Sequence, residues 1–524
     1  MKLYRAFATV GGLTLLSRIL GFVRDIMIAA LLGTGIIADA FFVAFRFPNL
    51  FRRLFGEGAF NSAFVPLFAK ELEGSGREAA RRFAEEALSG LLFVLLLLTA
   101  VAEITMPFLM YGMAPGFSDT PEKFDLAVLL TRICFPYLLC MSLVALLSGV
   151  LNTFGKFVES SSVSIVLNGT LIVAIGVAMA LGHSRDPAAG IIQAWGVAVA
   201  GVLQLLVLLD GVRRNDMWLR LRWPRLTPGV RRLIKLGIPG VIAGGVTQLN
   251  IVIGTVIASM QDGAVSQLYY ADRVYELPLA IVGIAVGVVL LPDVSRHLRA
   301  GNRAAVMDSQ NRSLEFSMLL TVPAAVALAL VPTPIVSVLF ERGAFTATDT
   351  PATAYALGIF AWGLPSFVLI KVFSPAYFAR EDTATPMRYA AISLIANTIG
   401  SVVLFFVFRS AGVLPHLGIA LATTLGGWLN AGLLWSTLAL RGEFEADDRL
   451  KRSLPLILFS SAVMGAALLA ATFMLEPWLA VGNGAVIRFV ALGALVTAGL
   501  IVYAIAVHVS GAAPLRQLLK AFRR

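Results

Sequence analysis

The residues with the most chemistry in this sequence are arginines set inside apolar stretches. Arg18 and Arg24 lie in one such stretch, with Ser17 and Asp25. Arg46, Arg52 and Arg53 lie in the next, with Asp39, Asn49 and Glu57. Asp272, Arg273 and Glu276 stand just before Pro278, and Lys371 sits in a later run. At ~100° per residue along a helix, Thr14, Arg18, Gly21 and Asp25 share one stripe, with Ser17 and Arg24 on its flank. Leu15, Ile19, Phe22, Val23 and Ile26 fill the opposite side. Asp39, Arg46, Arg53 and Glu57 form a second stripe, with Asn49 and Arg52 beside it. A charge near a bilayer centre costs ~2.5–3.5 kcal/mol on insertion scales, so it needs a wet cavity or a partner. One use is structural: ion pairs such as Asp25 with Arg24 or Arg273, or side chains that reach out to the interface from helix ends. The other is binding. The first, second and eighth apolar stretches hold more arginine than nearby acids can neutralise. A guanidinium fork donates two hydrogen bonds to one phosphate and stays protonated. The set therefore points to a cationic, water-accessible cavity for a substrate bearing phosphate or diphosphate.

A membrane must position these residues. The 524 residues are 58% hydrophobic and 14% charged, too little charge for a soluble surface. A stretch of ~20 apolar residues crosses a bilayer. The runs are continuous rather than alternating, which favours an all-α fold over a barrel. About fourteen spans are expected, at 7–33, 35–66, 84–110, 124–152, 158–182, 190–212, 230–258, 264–295, 310–340, 350–377, 384–408, 416–440, 453–475 and 485–508. The second and eighth contain Pro48 and Pro278, where kinks are expected.

The loops sort by charge. One side collects most of the basic residues, including the run from Arg213 to Lys235. The other has only scattered ones: Lys123, Arg185, Arg342, Arg409 and Arg488. The positive-inside rule then puts both termini in the cytoplasm. The net charge of +11 is read as topology and contact with anionic membrane lipids, with no nucleic-acid partner. The N-terminus begins like a signal sequence, but Arg18, Arg24 and Asp25 interrupt it. It is expected to remain as the first helix.

Several features recur at an offset of about 220–230 residues, as in a duplicated six-helix unit. Pro48 matches Pro278, Pro136 matches Pro365, and Asn168 matches Asn397. GVAVA at Gly196 resembles GIALA at Gly418. Six helices is an even number, so the repeat is parallel. The expected organisation is an N-terminal lobe (1–212), a basic cytoplasmic linker (213–235), a C-terminal lobe (230–441), two further helices (450–510) and a basic tail (511–524).

Other motifs fail on inspection. GVLNTFGKF at Gly149 has one residue too many between its glycines for a phosphate loop and lacks the Ser/Thr after Lys156. GTGIIA at Gly33 joins two membrane helices and follows no strand. Asn168 begins an NGT inside a span, so it is not a glycosylation site. His183, His297, His416 and His508 are far apart, and no metal site is expected. Cys134 and Cys140 read as small packing residues.

Long segments resemble one family. They are SRILGFVRD at Ser17, ADAFFVAFRFPNLFRRLFGEGAFNSAFVP at Ala38, YYADRVYELPLAIVGIAVGVVLLPDVSRH at Tyr269, RGAFTATDT at Arg342 and FSPAYFAREDTATP at Phe373. Together they resemble the lipid II flippases (MurJ, also called MviN) of the multidrug/oligosaccharidyl-lipid/polysaccharide exporter superfamily. The resemblance runs from the first helix to about the twelfth.

It implies a transporter rather than an enzyme: an alternating-access carrier of lipid II in the bacterial inner membrane, with two lobes around a cationic cavity. By the same resemblance Arg18, Arg24, Arg52 and Arg273 bind the pyrophosphate and sugar head, and Asp25 orients neighbouring arginines. Ser17, Asp39, Asn49 and Glu57 match positions near the gate. Arg53, Asp272, Glu276 and Lys371 are further cavity candidates. The two last helices would form a groove for the polyprenyl tail. Some members bind a sodium ion with an acid on the seventh helix. Here that helix offers Gln248 and Asn250 and no carboxylate, which speaks against sodium coupling. No cofactor is expected; the membrane potential is the expected driving force. The cell-wall synthesis machinery is an expected partner besides the substrate. The rivals are a related exporter of another polyprenyl-linked glycan or of drugs, and a membrane enzyme acting on polyprenyl phosphates. The enzyme would need an acid or His cluster, whereas the acids here interleave with arginines.

Overall fold

A computed structural model of the chain describes residues 2–52 and 60–512. Among these the chain is all-helical apart from one isolated bridge between Arg342 and Phe345. The helices are α1 (Lys2–Leu32), α2 (Ile36–Arg52), α3 (Phe60–Gly74), α4 (Gly76–Met113), α5 (Pro121–Cys134), α6 (Tyr137–Thr153), α7 (Phe157–Ala180), α8 (Pro187–Arg214) and α9 (Pro228–Ala258). They continue with α10 (Ala264–Arg299), α11 (Arg303–Leu330), α12 (Pro332–Phe340), α13 (Thr350–Phe378), α14 (Ala384–Ser410), α15 (His416–Leu440), α16 (Asp448–Leu479) and α17 (Ala485–Ser510). A short 3-10 turn, Pro115–Asp119, precedes α5.

Apart from residues 53–59 of the second, which lie outside the described residues, the fourteen expected spans fall on these helices. The second covers α2 and α3, the fourth α5 and α6, and the ninth α11 and α12. Two of the divisions follow from proline. Pro136 has no amide hydrogen to donate, so the amides of Leu138 and Leu139 bond back only three residues, to Phe135 and Pro136, at 3.0 and 3.1 Å. Val331 precedes Pro332 and is pushed out of the helical region, to φ −124° and ψ 45°. Pro48 and Pro278, by contrast, lie inside continuous helices. Ten described segments are long and apolar enough to cross a membrane. The helices with the charged stripes, α1, α2 and α10, are not among the ten.

The chain divides into two compact units: residues 1–266 with 342–345, and residues 267–341 with 346–524. The first takes in α9, which the repeat assigns to the C-terminal lobe; α9 packs on α3 and α4, with Gly229 against the Phe83 ring. The repeat is visible in the packing of each unit. A Cβ on Gly196 would lie 2.8 Å from the Ala174 Cβ of α7. A Cβ on Gly418 would lie 2.6 Å from the Leu404 carbonyl carbon of α14. The GVAVA and GIALA copies thus supply glycine at the close α7–α8 and α14–α15 crossings, where a larger residue would separate the helices.

In the first unit, mostly loop backbone finishes α1, with one side chain, Ser184 Oγ, donating to Leu31 O at 3.2 Å. The Gly33 amide bonds to Ala29 O at 2.8 Å, the Ala344 amide to Ala30 O at 2.8 Å, and the Arg185 amide to Leu31 O at 3.0 Å. Gly33 and Gly343 have φ of +64° and +59°. A Cβ on Gly33 would come 2.4 Å from Ala344 O, and one on Gly343 2.3 Å from Ala30 O. Only glycine satisfies both the dihedral and the approach. The basic stretch after α8 lies along α4. There the Arg220 amide bonds to Glu85 Oε1 at 3.1 Å and the Arg222 amide to Ser89 Oγ at 2.9 Å. The Arg222 guanidinium pairs with the buried Glu85 carboxylate.

Candidate functional site

Within the first unit, α1 meets α7 at Ser17, Gly21 and Arg24. Arg24 and Asp25 are both buried. Arg24 donates from Nε and Nη2 to Asp25 Oδ1 at 3.1 and 2.7 Å, and from Nη1 to Asn168 Oδ1 of α7 at 2.9 Å. The Asn168 amide donates in turn to Ser17 O at 2.9 Å. Gly21 lets α7 come close, since a Cβ there would sit 3.4 Å from Asn168 Nδ2. The Arg24 charge thus has Asp25 as an ionic partner. One turn or more earlier, Arg18 is exposed and has no hydrogen bond or ion pair among the described residues. Ser17 is half-buried.

On α2, Asp39 is fully buried and accepts four hydrogen bonds. Lys123 Nζ donates at 2.9 Å, the Gly263 amide at 2.8 Å, and the Ser266 amide and hydroxyl at 2.9 and 2.8 Å. Asp39 thus caps the first turn of α10, where helix amides lack internal partners and favour a negative charge. Lys123 is 1% exposed. It also donates to Asp262 at 2.7 Å and lies 4.3 Å from the Phe117 ring centroid. The 3-10 turn that carries Phe117 is pinned by the Gly116 amide to Ser259 Oγ, 3.1 Å. Further along α2, Arg46 Nη1 donates to Thr255 Oγ1 of α9 at 2.6 Å. Asn49 is half-buried, and Arg52 is the last residue of α2. Arg53 and Glu57 lie outside the described residues.

In the second unit, α10 carries Arg273 beside Glu276, 2.9 Å between Nη1 and Oε2, with its guanidinium 4.7 Å from the Tyr269 ring centroid. Asp272 is half-buried, and Lys371 on α13 is exposed. An apolar cavity of about 280 Å³ opens among α11, α12, α16 and α17. Its lining includes Leu319, Ile335, Leu468, Leu495 and Tyr503. Nearby, Arg488 is buried and donates to Leu479 O at 3.2 Å, Glu341 O at 3.2 Å and Ser337 Oγ at 2.6 Å.

Sequence reasoning missed Lys123, Asn168 and Arg488. It read the first and last as scattered loop charges and Asn168 as a mark of the repeat. The partners of Lys123 lie 84 and 139 residues away, so no local pattern could reveal them. A weak signal existed: Lys123 and Arg488 both sit at the edge of an apolar run, within the first turn of a helix.

Helices of this length and hydropathy define a multi-pass membrane protein. The fold is similar to an inward-facing multidrug transporter of the MATE family in the MOP superfamily, with TM-score 0.65 at 14% identity over 83% of this chain and 98% of that one. It is also similar to a solved lipid II flippase MurJ in an inward closed conformation, with TM-score 0.78 at 25% identity over 95% and 98% of the two chains. The sequence profile described as "Lipid II flippase MurJ" matches residues 28–489. A probable lipid II flippase MurJ of Rhizobium tropici is 48% identical over 100% of this chain and 97% of its own length. A lipid II flippase MurJ of Burkholderia cenocepacia is 36% identical over 90% of each. The chain belongs to the lipid II flippase MurJ family.

Proposed function

We propose that this chain carries lipid II, the polyprenyl-diphosphate-linked peptidoglycan precursor, from the cytoplasmic to the outer leaflet of a bacterial inner membrane. The observation that carries this reading is the 48% identity to a probable lipid II flippase along the whole chain. The site residues support it. Arg18 is an exposed guanidinium on a membrane helix with no partner among the described residues, as a diphosphate-binding group should be. Arg24 is held at its working height by Asp25 and Asn168, so a substrate diphosphate would compete with one carboxylate for it. By the resemblance, Arg52 and Arg273 are further head-group residues of the scheme and Asp39 is one of its gate residues.

The head group is large, polar and anionic and cannot cross hydrocarbon unaided. In this scheme the cavity opens first to the cytoplasm, where both termini lie. Binding of the diphosphate offsets repulsion among the arginines, and the two lobes then close inside and open outside. The apolar cavity of α11, α12, α16 and α17 keeps the lipid tail out of the polar path. The membrane potential, worth ~2.3 kcal/mol per charge per 100 mV, returns the empty positive carrier. Gln248 and Asn250 stand on α9 with no carboxylate beside them in sequence, so the scheme uses no sodium ion. Peptidoglycan-synthesising enzymes would draw on the product.

The test is depletion of the protein in its host, followed by assay of the leaflet in which labelled precursor accumulates. Accumulation in the cytoplasmic leaflet is expected, and an unchanged distribution would remove the proposal. Arg24→Ala or Arg273→Ala, supplied as the only flippase, should fail to support growth at normal expression.

A further inference from the structure

The segment between α8 and α9, within the first unit, carries more exposed apolar surface than a water-facing loop needs. Trp218, Leu221, Trp223 and Leu226 are all half or more exposed, Trp223 most of all at 83%. Large apolar side chains grouped in this way mark a surface that meets something apolar.

Hydrogen bonds fix the course of the segment along α4. The Arg220 amide bonds to Glu85, and the Arg222 amide to Ser89, one turn further along α4. The chain then turns back. Thr227 Oγ1 donates to Glu86 Oε2 at 2.7 Å, and Gly229 lies against the Phe83 ring. Residues 223–226 are therefore the tip of a loop whose summit stands level with Ser89.

That level is where the lipid-facing surface of α4 begins. Its first strongly exposed apolar side chains, Phe93 and Val94, stand one turn beyond Ser89, ~6 Å at ~1.5 Å per residue. A headgroup layer is ~5–8 Å thick on each side of the hydrocarbon core, so the tip lies at headgroup depth. Tryptophan settles at that depth because its ring is apolar and its N–H polar.

The charge at the tip suits the same surroundings. The two acids of α4 beside it are already engaged. Buried Glu85 pairs with the Arg222 guanidinium, and Glu86 accepts from Thr227. Arg220 and Arg225, with Arg231 and Arg232 at the start of α9, are exposed and have no acidic partner among the described residues. Guanidinium groups without counter-ions at a membrane surface attract lipid phosphate.

We infer that this tip anchors the chain to anionic phospholipid. Trp223 and Leu226 enter the headgroup layer, and Arg220 and Arg225 hold lipid phosphates there. A phospholipid supplies what both parts of the patch need: phosphate oxygens for the arginines and the roots of acyl chains for the apolar side chains. The net charge of the whole chain does not single out this place. The ties of the loop to Glu85, Glu86 and Ser89 do. The inference is independent of what the protein transports.

The test places one polarity-sensitive, thiol-reactive fluorophore on the full-length protein, at Leu226→Cys with Trp223 retained. Cys134 and Cys140 are buried, so one site is labelled. The protein is held in nanodiscs of phosphatidylcholine, alone or mixed with phosphatidylglycerol, each with a lipid that carries a quencher on its headgroup. Quenching should be severalfold stronger with phosphatidylglycerol, and the emission should move to the blue. The same fluorophore at Arg82→Cys, two turns before Ser89 on α4, should report water in both. Arg220→Gln combined with Arg225→Gln changes only exposed side chains, so it should fold, and it should abolish the difference between the two bilayers. Trp223→Ser should weaken quenching in both. Quenching equal in the two bilayers and unmoved by the arginine changes would overturn the anionic site. A fluorophore at Leu226→Cys that reports water in both bilayers would overturn the anchor, and shielding seen only in native membranes would give the patch to a protein partner instead.

Discussion

Asp39 in the first unit and Arg488 in the second are both buried, yet of the two only Asp39 has an ionic partner among the described residues. Asp39 is met by Lys123 and by the amides that open α10. Arg488 is met by the carbonyls that close α12 and α16. Both sites use helix termini, at opposite poles. The difference is what remains when one member is lost. At Asp39 a buried ion is stranded; at Arg488 only neutral carbonyls are left. A buried charge is therefore not one kind of feature, and the cost of removing it depends on its partner.

The largest effect should come from Lys123→Met, which leaves the Asp39 carboxylate buried with only amide and hydroxyl donors. Breaking a buried pair from one side costs ~3–5 kcal/mol, and thermal unfolding of the purified protein should show it. Adding Asp39→Asn should return part of that loss. A double variant as unstable as the sum of the singles would mean the two residues are not coupled.

Arg488→Met strands no ion; each neutral acceptor it orphans costs ~1–3 kcal/mol, less per group than a stranded charge. A loss per orphaned acceptor as large as the whole loss from Lys123→Met would refute the distinction between the two sites. Gly343→Ala sharpens the comparison from outside it, since no charge is involved. Its φ of +59° and the 2.3 Å approach to Ala30 O predict ~1–3 kcal/mol of strain, with no dependence on salt.

The smallest effect belongs to an exposed pair outside the spans, Asp382 and Arg441, 2.8 Å apart. The Arg441 guanidinium, helped by the Thr385 amide and hydroxyl, holds the Asp382 carboxyl down to about 2. Because that value is depressed, the contribution is complete above the ordinary carboxylate range and fades as pH falls toward 2. Solvent screens the pair, so Asp382→Asn should change stability by only ~0.2–1 kcal/mol near neutral pH. An unfolding series in pH on both proteins checks the sign: the two curves should converge in acid.

The fourteen spans were legible because hydropathy is a local property, and their described parts fall on the helices. Helical periodicity placed Arg18, Asp25 and Arg24 on one side of α1, whereas the structure buries Arg24 and Asp25 and leaves Arg18 exposed. Partners were not legible. Asn168 reaches Arg24 across 144 residues, and Lys123 reaches Asp39 across 84. Excess arginine in a span also overstates the free charge, because an adjacent acid such as Asp25 can pair with a guanidinium. Counting charges along a helix gives its sidedness; only packing shows which of them are committed.

The seam at the end of α1 is made mostly from main chain, with the Ser184 hydroxyl adding one bond to Leu31 O at 3.2 Å. Ala30 O, Leu31 O and the amides of Ala344 and Arg185 need no side chain to meet, and Gly33 and Gly343 make room by having none. Such a fastening holds no group that gains or loses a proton and no long side chain that counterions can screen. Acid, brine or a change of medium would leave it untouched, and it would yield only to a movement of the backbone itself.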